Sequence, residues 1–234
     1  MTADNPWNIE NRLDAIVIIQ GANEMLQDMI ASADFMVAVP KDHFEYRFAL
    51  ATQTWYAMHM VTLMKRNYVK NDFYSMISAA MFLRALIETT ANINYFSRFK
   101  NDAALANKFL KTAKTSWNNL MAIRDGLPLR NCNWTNLSVA SRIKLLNDDS
   151  KVDHYCVYKY LSSFIHSDAG YVGGMFHLEG DPYRRFYASR TNLCLHSIIA
   201  SLEKAGVMDN GMQLYLDALE KFVKDENRKL RKAS

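Results

Sequence analysis

Residues 73–96 read FYSMISAAMFLRALIETTANINYF, twenty-four positions in which only Arg84 and Glu88 are charged and nearly all others are apolar or small. A segment apolar around most of its helical circumference is covered by neighbours on several sides, so this stretch predicts the central helix of an all-α fold. Its two charges are then the informative residues. Arg84 and Glu88 are four apart and share a helix face, which Asn92 continues one turn later with Tyr95 nearby. Arginine ahead of glutamate is the weaker order for a pair on a helix surface, so local helix stabilisation does not account for it. Burying a charge costs roughly several kcal/mol unless the ion is paired and hydrogen-bonded, and the stripe therefore predicts polar partners on another helix.

Outward from this segment the chain reads as further helices. Pro6, Pro40, Pro128 and Pro182 each stand where an apolar helical pattern begins or has just ended. Asn5-Pro6 opens a helix in which Ile9, Leu13, Ile16 and Val17 keep a helical period to about Met36. A second helix covers residues 42–67, with Phe44, Phe48, Ala51, Trp55, Met58 and Thr62 on one stripe and its Trp and Met side chains expected in the core. The central helix runs from Asn71 or Asp72 to about Phe99, and Asn101-Asp102 caps a fourth that ends near Asp125. These four predict an up-and-down bundle over residues 6–125. A loop rich in Gly, Pro and Asn follows at 126–136, and then helices over 137–147, 152–167, 183–205 and 210–232. Gly170, Gly173, Gly174 and Gly180 mark a short Gly-rich loop or hairpin near 170–182. The expectation is one helical domain over residues 1–234 with about eight helices.

Composition narrows the class. Half of the 234 residues are hydrophobic, which excludes a disordered chain and allows a core that needs no staple. A net charge of +4 is compatible with nucleic-acid contact but is far from a polybasic binder. Cys132, Cys156 and Cys194 are odd in number and lack metal or redox spacing, so they read as reduced thiols of a cytoplasmic protein. The first residues lack a basic segment followed by an apolar one, and no run of about 18 apolar residues occurs, so neither secretion nor membrane spanning is expected.

A second polar stripe lies in the helix over 152–167, where His154, Tyr158, Ser162 and His166 recur every four residues opposite Val157, Leu161, Phe164 and Ile165. If the two stripes face each other, Glu88 orients an imidazole, Ser162 and Tyr158 fill remaining hydrogen bonds, and Arg84 presents donors to an anion. Such a constellation suits a phosphate-bearing ligand. The alternative is a buried network that only fixes helix register.

The segment Tyr158-Lys159-Tyr160-Leu161-Ser162-Ser163-Phe164-Ile165-His166-Ser167, with Phe82-Leu83-Arg84-Ala85-Leu86-Ile87-Glu88 upstream, resembles a widespread bacterial family of all-helical domains that is itself similar to HEPN domains. The resemblance rests on these two helices. It implies a helical bundle, commonly a homodimer, and a metal-independent endoribonuclease of a toxin or phage-defence system. HEPN ribonucleases use an arginine followed after four to six residues by a histidine. Ahead of His166 the corresponding place is held by Lys159, which cannot make the same bidentate phosphate contact. Arg190 and His196 meet the spacing, although with thirteen arginines and six histidines about one such match is expected by chance. The resemblance implies attack by a ribose 2′-hydroxyl on the adjacent phosphate, with His moving protons and Arg stabilising the pentacoordinate charge. No metal or cofactor is implied.

The candidate catalytic set is thus His166, Arg84, Glu88, Ser162 and Tyr158, with Arg190 and His196 as a second pair. Tyr183-Arg184-Arg185-Phe186-Tyr187 interleaves basic and aromatic residues as RNA-contacting segments do, so Arg184, Arg185 and Lys159 are candidate nucleic-acid contacts, with ordinary packing as the alternative. His177-Leu178-Glu179 and His166-Ser167-Asp168 each offer two metal ligands, but no Glu-x-x-His or His-Glu-x-x-His occurs to complete a site. The expected partner is RNA or a nucleotide; the rival expectation is a non-catalytic helical module that binds proteins.

Overall fold

The computed structural model describes residues 43–69, 73–128, 130, 133–165 and 180–206. These form six helices: α1 (Phe44–Val69), α2 (Phe73–Arg98), α3 (Ala103–Arg124), α4 (Val139–Ser150), α5 (His154–Ile165) and α6 (Gly180–Ala205), with no strand among the described residues. The helices anticipated over 6–36 and 210–232 and the Gly-rich segment 170–179 lie outside the described residues. Gly180 to Pro182 belong to α6 rather than to a loop. Pro182 is tolerated there because the first-turn N–H groups have no intrahelical acceptor.

The segment 73–98 is the hub. α2 packs against α1, α6, α4 and α5. Leu83, Leu86, Ile87, Ala91, Ile93 and Phe96 on α2 are completely buried. Alanines at 49 and 57 on α1 and at 79 and 80 on α2 are buried with them. The Tyr46 hydroxyl on α1 donates at 2.9 Å to the Phe96 carbonyl, which also accepts from Phe99 N at 3.0 Å, so the last turn of α2 is tied to α1. Phe96 also stacks on Trp134 at 5.1 Å and meets Phe109 of α3 edge-on at 5.4 Å, so one aromatic cluster ties α2, α3 and the segment before α4 together.

The stripe anticipated along α1 divides: Ala51 and Met58 are buried as expected, along with Met60 and Met64, but its aromatic members face outward. Phe44 and Trp55 are 51% and 57% exposed and Phe48 is exposed too, whereas Tyr46, Leu50, Ala57, Val61 and Met64 are buried. Both sides of this helix carry large apolar groups, and a 3.6-residue period alone cannot decide which of two apolar faces turns inward. Phe44 stacks on Phe48, and Trp55 on His59, along the outer side.

Local chemistry sets the ends of the elements that carry polar residues. Asn101 takes the left-handed conformation at φ 64°, and Asp102 Oδ1 accepts from Leu105 N at 2.9 Å, turning the chain from α2 into α3. Ser138 caps α4 by accepting from Ser141 N at 3.1 Å, and Lys151 closes it in the left-handed region at φ 57°. Ser138→Ala should cost about 1 kcal/mol, read as a lower urea midpoint with an unchanged slope. The turn into α5 is clasped by Asn147, whose Oδ1 accepts from His154 N at 2.9 Å and Tyr155 N at 3.2 Å. Asp153 caps α5 through Cys156 N, and this hydrogen bond leads the influences that hold its carboxyl below the usual range.

Candidate functional site

Three helices, α1, α4 and α5, converge on the polar stripe of α2. Arg84 pairs with Glu88 at 3.3 Å, and its Nη2 donates to the Tyr158 hydroxyl of α5, also at 3.3 Å. The guanidinium lies 5.1 Å from the Tyr158 ring centroid, close enough for cation–π attraction. Arg84 Nε is buried without a hydrogen-bond partner, although the side chain as a whole keeps 23% exposure. One turn on, Asn92 Nδ2 donates to Gln53 Oε1 of α1 at 3.0 Å, and Asn92 Oδ1 accepts from Arg142 Nε of α4 at 2.9 Å.

Arg142 is the residue that the sequence reading missed. Its Nη1 donates to the Leu137 carbonyl at 2.7 Å, and its guanidinium covers the Trp134 ring at 5.1 Å. Burial lowers its pKa, against the opposing influence of Glu88, Tyr95 and Tyr158. One sign of it was present in the sequence: Val139, Ile143 and Leu146 define the inward face of α4, and Arg142 falls on that face.

Glu88 therefore lies in the field of two arginines. Burial raises its pKa above the ordinary carboxylate value, and the Arg84 and Arg142 charges pull against that rise. A carboxyl so poised can exchange a proton nearer neutrality than a solvated one. With two cations around one carboxylate, the group carries an excess of positive charge when Glu88 is ionised, which suits an anionic ligand.

The second stripe divides. Tyr158 meets Arg84, but His154 is buried against α6, with Nδ1 4.0 Å from Cys194 Sγ and Nε2 3.4 Å from Ser197 Oγ. Residues four apart drift by about 40° around a helix, enough for successive members to reach different neighbours. The Ser162 hydroxyl donates to the Tyr158 carbonyl of its own helix at 2.7 Å, so that proton does not go to Glu88. His166 lies outside the described residues, as do Cys132 and the side chains of Arg184 and Arg185. Lys159 is exposed, with Nζ 6.0 Å from the Tyr155 ring centroid.

Arg190 and His196 do not form a pair. Six residues place them about 120° apart around α6 and about 9 Å apart along it. Arg190 sits over the Phe186 ring at 5.5 Å and His196 lines a cleft beside Asp149 and Lys204.

His154 is held neutral. Burial and the Arg190 charge lower its pKa from 6.5 to about 4, against the pull of Asp153. The unfolded chain takes up this proton below about pH 6.5, whereas the folded chain resists until about pH 4. The contribution is therefore complete above the upper value and is lost as pH falls through the window. Going from pH 7 to pH 5 should remove about 2 kcal/mol of stability in wild type relative to His154→Leu, measured by urea unfolding at both pH values. Equal pH dependence in the two proteins would contradict a neutral, buried His154. Cys194, fully buried beside it, has its thiol pushed up to about 12 by burial, which makes it inert as a nucleophile.

Among the described residues no group of three or more His, Cys, Asp or Glu side chains could hold a metal ion, and no helix is long and apolar enough to cross a membrane. No family model, curated protein or solved structure matches the chain.

Proposed function

We propose that the chain is a HEPN-like helical domain that engages RNA or a nucleotide phosphate through the α2 stripe, acting as a metal-independent endoribonuclease in a toxin or phage-defence setting. The observation that carries this reading is the meeting of Arg84, Glu88 and Tyr158 at a partly exposed junction of α2 and α5. Arg84, whose side chain keeps 23% exposure, supplies guanidinium donors for a phosphate. Glu88, with its raised pKa, is suited to moving or orienting a proton. Tyr158 offers both a hydroxyl and a ring face. His166, one residue beyond the described end of α5, is the proposed general acid–base group.

The test is incubation of a single-stranded RNA with the chain in excess EDTA. Cleavage leaving 2′,3′-cyclic phosphate ends is the expected result, because attack by the 2′-hydroxyl expels the 5′-oxygen and closes that ring. RNA left intact at high protein concentration argues against the ribonuclease.

A second reading has its own observation. Phe44, Phe48, Trp55 and Tyr56 expose large aromatic surface along α1, as protein-binding faces do. In that case the domain is a non-catalytic interaction module, the α2 network fixes helix register, and RNA is neither bound nor cut.

A further inference from the structure

We propose a second site, an oxyanion pocket between α2, α4 and α6, at Asn94, Asp149, His196 and Lys204. These residues line an open cleft of about 260 Å³ together with Ser197 and Ser201. Asn94 lies about 120° around α2 from Glu88, so this is a different face of the helix from the stripe described above.

The cleft is lined by one buried donor without a hydrogen-bond partner. Asn94 is 3% exposed, its Oδ1 accepts from Ser201 Oγ at 3.3 Å, and its Nδ2 has no hydrogen-bond partner. That amide contributes to holding the Asp149 carboxyl down, yet it makes no well-formed hydrogen bond to it. A buried N–H without an acceptor is costly, and an acceptor brought by a ligand relieves that cost. The Ser197 hydroxyl donates to the Leu193 carbonyl at 2.9 Å, and the single Ser201 proton is shared between the Ser197 carbonyl at 2.7 Å and Asn94 Oδ1 at 3.3 Å.

Charge points the same way. Asp149 takes a bidentate pair from Arg98, with Nε at 3.0 Å from Oδ2 and Nη2 at 3.0 Å from Oδ1. Lys204 Nζ stands off the same carboxylate at 3.7 Å. Burial works against ionisation of Asp149, but Asn94, Arg98 and Lys204 together keep its pKa below the usual value. Two cations on one carboxylate leave one positive charge over. Lys204 is the looser of the two, with its side chain 50% exposed, and can turn from Asp149 to an incoming anion. The ligand is thus a small molecule carrying a phosphate or carboxylate group, received by Lys204 Nζ and Asn94 Nδ2 with His196 at the rim. A pocket of this volume takes a small metabolite rather than a polymer segment.

The test is isothermal titration of the full chain with inorganic phosphate, acetate and adenosine 5′-monophosphate in turn. Saturable binding of phosphate or acetate is expected, and the tighter of the two identifies the oxyanion. Tighter binding of the nucleotide than of phosphate would show that the cleft also holds the attached group. Lys204→Gln, a change at a half-exposed side chain, should weaken binding about tenfold. Asn94→Asp keeps the volume but exchanges the donor for a negative charge and should abolish binding. If Asn94→Asp fails to fold, Lys204→Gln alone decides. No saturable binding of any of the three probes, or binding unchanged in Lys204→Gln, overturns the proposal. The outcome is independent of RNA cleavage, because none of these residues belongs to the α2 stripe around Glu88.

Discussion

Arg142→Ala should unfold with a free energy about 3 kcal/mol below wild type. The side chain is buried and donates to two acceptors, Asn92 Oδ1 at 2.9 Å and the Leu137 carbonyl at 2.7 Å, while its guanidinium covers Trp134. Truncation removes one of the two positive charges near Glu88, leaves Asn92 without that donor and opens space over the indole. Each charged hydrogen bond of this kind is worth about 1.5–3 kcal/mol, and lost packing adds to it. The damage should spread, because Trp134 stacks on Phe96, which is central to the aromatic cluster of α2 and α3. Arg142→Lys should recover less than half of the loss, since a single ammonium cannot donate in two fixed directions and lie flat on a ring. Urea unfolding reads both variants; a cost under about 1 kcal/mol for the alanine change would show that Arg142 is a bystander.

Arg84→Ala should have the opposite profile, with a small stability change and a large functional one. The Arg84–Glu88 pair retains access to water, with side chains 23% and 33% exposed, so its loss should cost about 1 kcal/mol or less. If this guanidinium stabilises the phosphate charge during attack by the 2′-hydroxyl, its removal should lower the cleavage rate about a hundredfold or more. Arg84→Lys should not restore the rate, because the planar fork is what reads two phosphate oxygens at once. Glu88→Gln offers a check on proton handling: it preserves the shape but cannot titrate, so any limb of the pH–rate profile that belongs to Glu88 should vanish. Parallel losses of rate and stability in Arg84→Ala would instead mark the residue as scaffold.

The difference between these two arginines shows what the sequence could and could not reveal. Arg84 and Glu88 stood out because they interrupt an apolar segment, and α2 is the hub that such a segment implies. Tyr158 was also legible, as a polar residue at helical spacing on a later helix. The register of His154 was not, since it shares Tyr158's periodicity yet packs against α6. Periodicity records that a face is polar and says nothing of which neighbour lies opposite it. The aromatic members of the α1 stripe, Phe44, Phe48 and Trp55, turn outward for a related reason, while Ala51 and Met58 of the same stripe are buried: α1 is apolar on two sides, and its packing on the other helices selects which positions go inward. Arg142 and Gln53 reach the stripe from helices far apart in sequence, so no local pattern announced their contacts with Asn92. The cleft at Asn94 arises only where three helices meet, for which linear spacing offers no signal.

The most direct test of the α2 stripe as a working site rather than a scaffold is the affinity of a fluorescently labelled single-stranded RNA, measured by anisotropy in EDTA for wild type and Arg84→Ala, with the unfolding free energy of the same samples. Saturable binding by wild type is expected, weakened about tenfold or more in Arg84→Ala, with stability changed by about 1 kcal/mol or less. RNA binding that is absent from wild type, or equal in the two proteins, would contradict it.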